Sequence, residues 1–174
     1  MTFHIESFAV PAGAGDRAQL GALLCACVRG GASIGFLADI DAAEAETYWS
    51  NVFGSISAGA KLLLVARDER GAIGGSVQLA LESRSNGRHR AEVQKLMVLP
   101  ALRGRDLGTQ LMEAVETRAR ERGVTLLFLD TSEGAGGARA FYDKLGYTYV
   151  GGIPGYALDP DGTPTKNAIY YKAL

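Results

Sequence analysis

The chain has 174 residues, 47% hydrophobic and 21% charged, a globular composition that excludes intrinsic disorder and gives one domain a full-sized core. Eighteen Lys and Arg against nineteen Asp and Glu leave a net charge of −1, so the chain has no general attraction for nucleic acid or an anionic membrane. Its longest apolar stretch, Leu20–Val28, falls well short of the roughly 18 residues that cross a bilayer, and the start MTFHIESFAV lacks the basic-then-apolar pattern of a secretory signal, so the expected address is the cytoplasm.

Residues 1–10 predict a strand, bounded by Pro11 and Gly13. Leu20, Leu23, Leu24 and Cys27 recur at helical spacing, and Gly30-Gly31 ends that helix. After the loop ASIGFLAD, Asp41 with Glu44 three residues on reads as a capping box, opening a helix striped by Ala45, Trp49, Val52, Phe53 and Ile56. Lys61–Arg67 and Ala72–Leu81 predict strands around the turn Asp68-Glu69-Arg70-Gly71, and a polar turn over Glu82–Arg90 leads to a third strand, Ala91–Val98. A basic, Gly-containing loop follows, then a helix with the stripe Leu111, Met112, Val115 and Ala119, closed by Gly123. Thr125–Asp130 predicts a strand whose consecutive large apolar residues imply burial on both faces. Ala138, Phe141, Tyr142 and Leu145 form another helical stripe, capped by Gly146. Thr148–Ile153 and Ala168–Lys172 predict closing strands around a Pro/Gly/Asp-rich loop. This order predicts one α/β (α+β) domain over residues 1–174.

Cys25 and Cys27, two apart on a helix, point to different faces and read as small hydrophobes. With no CxxC motif or His cluster, no metal site is expected. Gly13 to Ala18 matches the dinucleotide pattern G-x-G-x-x-G/A, but Pro11 interrupts the strand before it, so it reads as a loop opening a helix. The loop from Val98 to Thr109 is better placed, between strand and helix. A helix N-terminus offers unpaired N–H groups to a diphosphate; Gly104 and Gly108 allow close approach, and Arg103 and Arg105 add charge. Taken alone, the loop fits a basic surface turn equally well.

Context separates the two. EVQKLMVLP (Glu92–Pro100), then Arg103 to Gly108, and FYDKLGY (Phe141–Tyr147) together resemble the GNAT family of acetyl-CoA-dependent N-acetyltransferases. GGASIGFLAD (Gly30–Asp39), LDT (Leu129–Thr131), PGY (Pro154–Tyr156), PDG (Pro160–Gly162) and the AIYYK ending look like its tabtoxin-resistance subgroup, whose members acetylate the amino group of a β-lactam-containing toxin amino acid. The resemblance implies a mostly antiparallel mixed sheet with flanking helices, in which the strand Ala91–Val98 splays from its parallel neighbour Thr125–Asp130. The pantetheine arm of acetyl-CoA would enter that gap and pair with main-chain groups of Leu96, Met97 and Val98. A main-chain N–H of Leu96 or Met97 would face the oxyanion. The diphosphate would lie on Arg103, Gly104, Arg105, Asp106, Leu107, Gly108 and Thr109, with Thr131 also on the cofactor side.

Glu92 stands where several GNAT enzymes keep a general base. An alkyl amine with a pKa of about 8 to 10 is mostly protonated at neutral pH and must lose a proton to attack a thioester. Asp130, ending the adjacent strand, is a second base or an amine-binding group; Tyr142 matches the tyrosine that protonates the departing thiolate. By the same resemblance the acceptor pocket takes Ser33, Phe36 and Asp39 from the loop between the first two helices, and Tyr156 from the late loop. Two positions depart from the family pattern: Asp106 stands where a glycine is expected, and Ala135 where many relatives have Asn.

The expected activity is direct acetyl transfer from acetyl-CoA to a small-molecule amine, with tabtoxinine-β-lactam or a related amino compound as acceptor and toxin or antibiotic resistance as the setting. The alternative is a non-catalytic acyl-CoA-binding sensor. No nucleic-acid or membrane partner is expected, and a homo-oligomer is allowed.

Overall fold

The computed structural model describes residues 2–133 and 138–174. Strand β1 (Phe3–Ser7) leads into helices α1 (Ala14–Arg29) and α2 (Ala42–Ser57), then strands β2 (Lys61–Asp68), β3 (Ile73–Leu81) and β4 (Arg90–Val98). Helix α3 (Leu107–Arg120), strand β5 (Leu126–Ser132), helix α4 (Ala138–Lys144) and strand β6 (Thr148–Gly151) follow. Strands β7 (Ala157–Leu158), β8 (Pro164–Thr165) and β9 (Asn167–Ala173) end the chain. The N-cap half of the expected capping box forms at α2: the Asp41 side chain accepts from the Glu44 N–H at 2.8 Å, satisfying one of the free donors of the first turn.

A seven-stranded sheet runs in the order β1-β2-β3-β4-β5-β9-β6. Its neighbours are antiparallel except β4 and β5, which are parallel. Along β2 the side chains alternate between two cores. Leu63 and Val65 pack under α1 and α2 with Leu20, Leu24, Trp49 and Phe53. Leu64 and Ala66 pack under α3 and α4 with Leu111, Met112, Val115 and Tyr142.

Three features differ from the expected elements. In β5 only Leu127 and Leu129 are fully buried, while Leu126 and Phe128 are half-exposed, because α1 and α2 contact β2, β3 and β4 and leave that face of β5 partly open. Strand β6 stops at Gly151, and the next residue, Gly152, lies against the Asn167 carbonyl with no room for a β-carbon. The late loop contains a small hairpin of its own, with Ala157 opposite Thr165 and Leu158 opposite Pro164.

Candidate active site

Strands β4 and β5 pair only at Arg90–Leu126, Ala91–Leu127 and Glu92–Phe128. Beyond that point β5 stays on β9 as far as Ser132, while β4 stays on β3. Main-chain groups of β4 past Glu92 that would otherwise pair with β5 therefore face a gap, and an unpaired strand edge suits an extended polar ligand.

On its other edge β4 carries a bulge. Gln94 opposes Gln78 but Met97 opposes Ser76, so Lys95 and Leu96 share the place opposite Val77. Lys95 has φ +50°, a left-handed conformation that the surrounding structure must impose on a lysine. The bulge reverses the alternation of side chains. Ala91 and Val93 belong to the α3 core, and so do Leu96 and Val98, while Met97 enters the α1–α2 core. By the same alternation Glu92, Gln94 and, on β5, Asp130 lie on the α1–α2 side of the sheet.

Two cavities open at the splay. The larger, about 570 Å³, has Leu96, Met97 and Val98 along one wall, Arg103, Gly104, Asp106, Leu107, Gly108 and Thr109 at one end, and Thr131, Phe141, Tyr142 and Lys144 opposite. The smaller, about 210 Å³, is lined by Ser33, Ile34 and Gly35, by Lys95, Asp130 and Asn167, and by Tyr156, Ala157 and Thr165. Leu96, Thr131 and Tyr142 line both, so the cavities meet at these three residues.

The large cavity ends at the N-terminus of α3. Asp106 adopts φ +63° and its side chain makes no capping bond to the first turn. The N–H groups of that turn have no partner within the helix and, together with the helix dipole, favour an anion. Gly104 has φ +73°, and a β-carbon at Gly108 would lie 3.4 Å from the Phe141 ring, so glycine keeps the approach open. Arg103 lines this cavity, whereas Arg105 lines a separate pocket with Thr2 and Phe3. The Val98 carbonyl accepts a hydrogen bond from the Cys27 thiol at 3.4 Å, which puts one of its lone pairs to use inside the protein.

Tyr142 is buried against Phe141, Tyr147 and Tyr170, with ring centroids 5.1, 5.8 and 5.2 Å away. Burial pushes its phenol up to about 12, so it stays a neutral proton donor into the alkaline range. Burial in the cleft also raises the Asp130 carboxyl, opposed by the Asn167 amide and then by the charge of Lys95. Glu92 is fixed differently: the Gln94 amide donates to its carboxylate at 2.7 Å. Lys61 Nζ donates to the side-chain oxygens of Gln94 at 2.8 Å and Gln78 at 2.9 Å, and the Gln78 amide donates to the Tyr48 hydroxyl at 2.8 Å. Glu92 is not among the residues lining the small cavity; Asp130 is.

The two loops expected to build an acceptor pocket do converge. Ser33 and Tyr156 line the small cavity, and the Ala38 N–H donates to the Pro160 carbonyl at 2.9 Å, tying one loop to the other. Phe36 packs edge-on against Tyr48 with centroids 5.2 Å apart, and Asp39 is exposed to solvent; neither lines the cavity. Ala135 lies outside the described residues. Lys95, Asn167 and Lys144 were missed from sequence. Lys95 and Lys144 sit inside the very blocks that carry the family resemblance, while nothing local marks Asn167. Among the described residues no three His, Cys, Asp or Glu side chains gather as metal ligands would, and no helix is long and apolar enough to cross a membrane.

The model of the acetyltransferase (GNAT) family matches residues 33–147, the stretch that includes both strands of the splay and the α3 loop. The chain belongs to the GNAT acetyltransferase family. It is similar to an aminoalkylphosphonate N-acetyltransferase of Salmonella typhimurium, 41% identical over 56 residues, which is 32% of this chain and 36% of the relative. An IAA acetyltransferase of Azospirillum brasilense is 35% identical over 69 residues, 40% of this chain and 45% of the relative. The matched segments thus span less than half of either relative. In fold, this GNAT chain is similar to a phosphinothricin acetyltransferase from Sinorhizobium meliloti solved with acetyl-CoA, with TM-score 0.82, 20% identity, and coverage of 100% of this chain and 89% of that one.

Proposed function

We propose that this GNAT protein is an N-acetyltransferase that moves an acetyl group from acetyl-CoA directly to the amine of a small molecule. The observation that carries the reading is the meeting of two cavities at Leu96, Thr131 and Tyr142, one ending at a helix N-terminus and the other lined by a carboxylate. The donor set of the larger cavity fits the cofactor: Arg103 and the uncapped first turn of α3 would hold the diphosphate, with Gly104 and Gly108 giving room for its approach. Those main-chain groups of Leu96, Met97 and Val98 that face the gap would hold the pantetheine arm. Bound acetyl-CoA supplies the activated acetyl group and a thiolate leaving group.

The chain's own residues do the rest. Asp130, in the wall of the acceptor cavity, takes the proton from the incoming ammonium. Glu92, oriented by Gln94, supplies a second carboxylate on the same sheet face that draws the amine in. A main-chain N–H of Leu96 or Met97 donates toward the thioester oxygen as negative charge develops there. Tyr142, a neutral phenol beside the junction of the two cavities, donates its proton to the departing sulfur. Ser33 and Tyr156 contact the acceptor. The sequence blocks shared with the tabtoxin-resistance subgroup favour tabtoxinine-β-lactam or a related amino compound, and a role in toxin resistance. The similarity to an aminoalkylphosphonate acetyltransferase also supports an amine that carries an acid.

The test is release of CoA thiol across a panel of amines that includes tabtoxinine-β-lactam. Turnover on one class of amine, cut about 100-fold or more by Tyr142→Phe, is the expected result. Binding of acetyl-CoA with no turnover on any amine would make the protein an acyl-CoA sensor instead.

A further inference from the structure

The acetyl-transfer reading leaves Lys95 without a task. Lys95 sits on the β4 bulge at φ +50° and lines the small cavity with Asp130, Ser33 and Asn167. A β-carbon at Gly35 would lie 3.3 Å from its Nζ, so the ammonium rests against the turn of the α1–α2 loop. Among the described residues the Lys95 ammonium makes no hydrogen bond and no direct ion pair. It feels the repulsion of Lys61 on β2 and the attraction of Glu92 on its own strand and Asp130 on β5. A partly buried cation on a strained backbone, near two carboxylates but hydrogen-bonded to neither, has donors left for a ligand that enters the cavity.

We propose that Lys95 is a specificity-determining residue of the acceptor pocket: its ammonium binds the acidic oxyanion group, carboxylate or phosphonate, of an acceptor whose amine faces Asp130. This rests on the acetyltransferase reading and deepens it. A purely cationic amine entering this cavity of about 210 Å³ meets Lys95 with like charge. An amine that also carries an acid brings one charge of each sign to its opposite. Lysine suits the task because its ammonium is a compact charge with three donors on a flexible stem, able to meet a carboxylate or a phosphonate.

The test uses the full-length protein and matched acceptors: an α-amino acid, its carboxamide, and the corresponding aminophosphonate and its diethyl ester. Wild-type kcat/KM is expected to favour each acid over its neutral partner by about 10- to 100-fold, the range of one charged hydrogen bond. In Lys95→Met that ratio falls toward one, mainly through KM, and Lys95→Arg restores most of it. A second readout needs no turnover: methylphosphonate, added to protein saturated with acetyl-CoA, is expected to shift the Gly35 and Thr131 amide resonances in wild type and not in Lys95→Met. Equal use of acid and neutral acceptors by wild type, or an equal loss for both in Lys95→Met, overturns the proposal. So does an identical methylphosphonate response in the two proteins. Failure of acetyl-CoA to bind either protein would overturn the acetyltransferase reading itself, and calorimetry with acetyl-CoA alone separates that case.

Discussion

Gln94 donates its side-chain amide to the Glu92 carboxylate at 2.7 Å, two residues along the same strand and immediately before the bulge. The bond ends a chain that starts at Tyr48 on α2 and passes through Gln78 and Lys61. Each member fixes the next, so the orientation of Glu92 depends on residues from four elements. Gln94 is a positioning residue in this account. Gln94→Leu is expected to lower kcat about 10-fold, the lower end of the losses seen when a supporting shell is removed, with acetyl-CoA affinity retained. Glu92→Gln is expected to reduce turnover further, again with binding of acetyl-CoA retained in calorimetry.

The raised Asp130 carboxyl has a visible consequence in pH. Burial in the cleft disfavours its charged form, while Asn167 and Lys95 oppose the rise. A base must be ionised to act, so the acidic limb of kcat/KM is expected above the ordinary carboxylate range. Removing a neighbouring positive charge raises a carboxyl further, so Lys95→Met should move that limb to higher pH. Asp130→Asn should abolish it. A limb at the ordinary carboxylate value in wild type would assign the proton to another group.

Asp106 holds a left-handed backbone at φ +63° beside the first turn of α3 without capping it. It lines the end of the large cavity assigned to the diphosphate. Asp106→Gly removes both the strain and the repulsion, and is expected to tighten acetyl-CoA binding about 3- to 10-fold. Direct titration of the two proteins decides it, and unchanged or weaker affinity would sink the explanation.

A buried ion pair supports the far end of the same helix. Lys172 Nζ donates to both Glu116 carboxylate oxygens at 2.8 and 2.7 Å and to the Leu145 carbonyl at 2.7 Å, and Glu116 is buried. Lys172→Met removes the close partner of that carboxylate and leaves only Arg120, at 3.8 Å, and is expected to destabilise the fold by about 3 kcal/mol. Denaturant unfolding measures this.

Local chemistry made much of the fold legible. The Asp41–Glu44 box, the glycines closing α3 and α4, and the turn at Gly71 all follow from side-chain hydrogen bonds or positive φ, which act within a few residues. The motif blocks from Glu92 to Gly108 and from Phe141 to Tyr147 carried the family. The bulge at Lys95 was not legible, because it exists only in the register against β3, and a lysine does not advertise a left-handed backbone. Glu116 was hidden in the apolar stripe of α3 because its partner lies on β9, far along the chain. The hairpin of β7 and β8 has too few residues for any periodicity to show. Asn167 reaches the acceptor cavity only because β9 lies beside β5, a consequence of topology.

Calorimetric titration of the purified protein with acetyl-CoA tests the central claim most directly, because the assignment of the large cavity underlies every role given to the residues around it. The account predicts one site per chain with micromolar affinity, weakened when Arg103 is replaced by Ala and strengthened in Asp106→Gly. Absence of binding at micromolar concentration, with the protein folded, would contradict it.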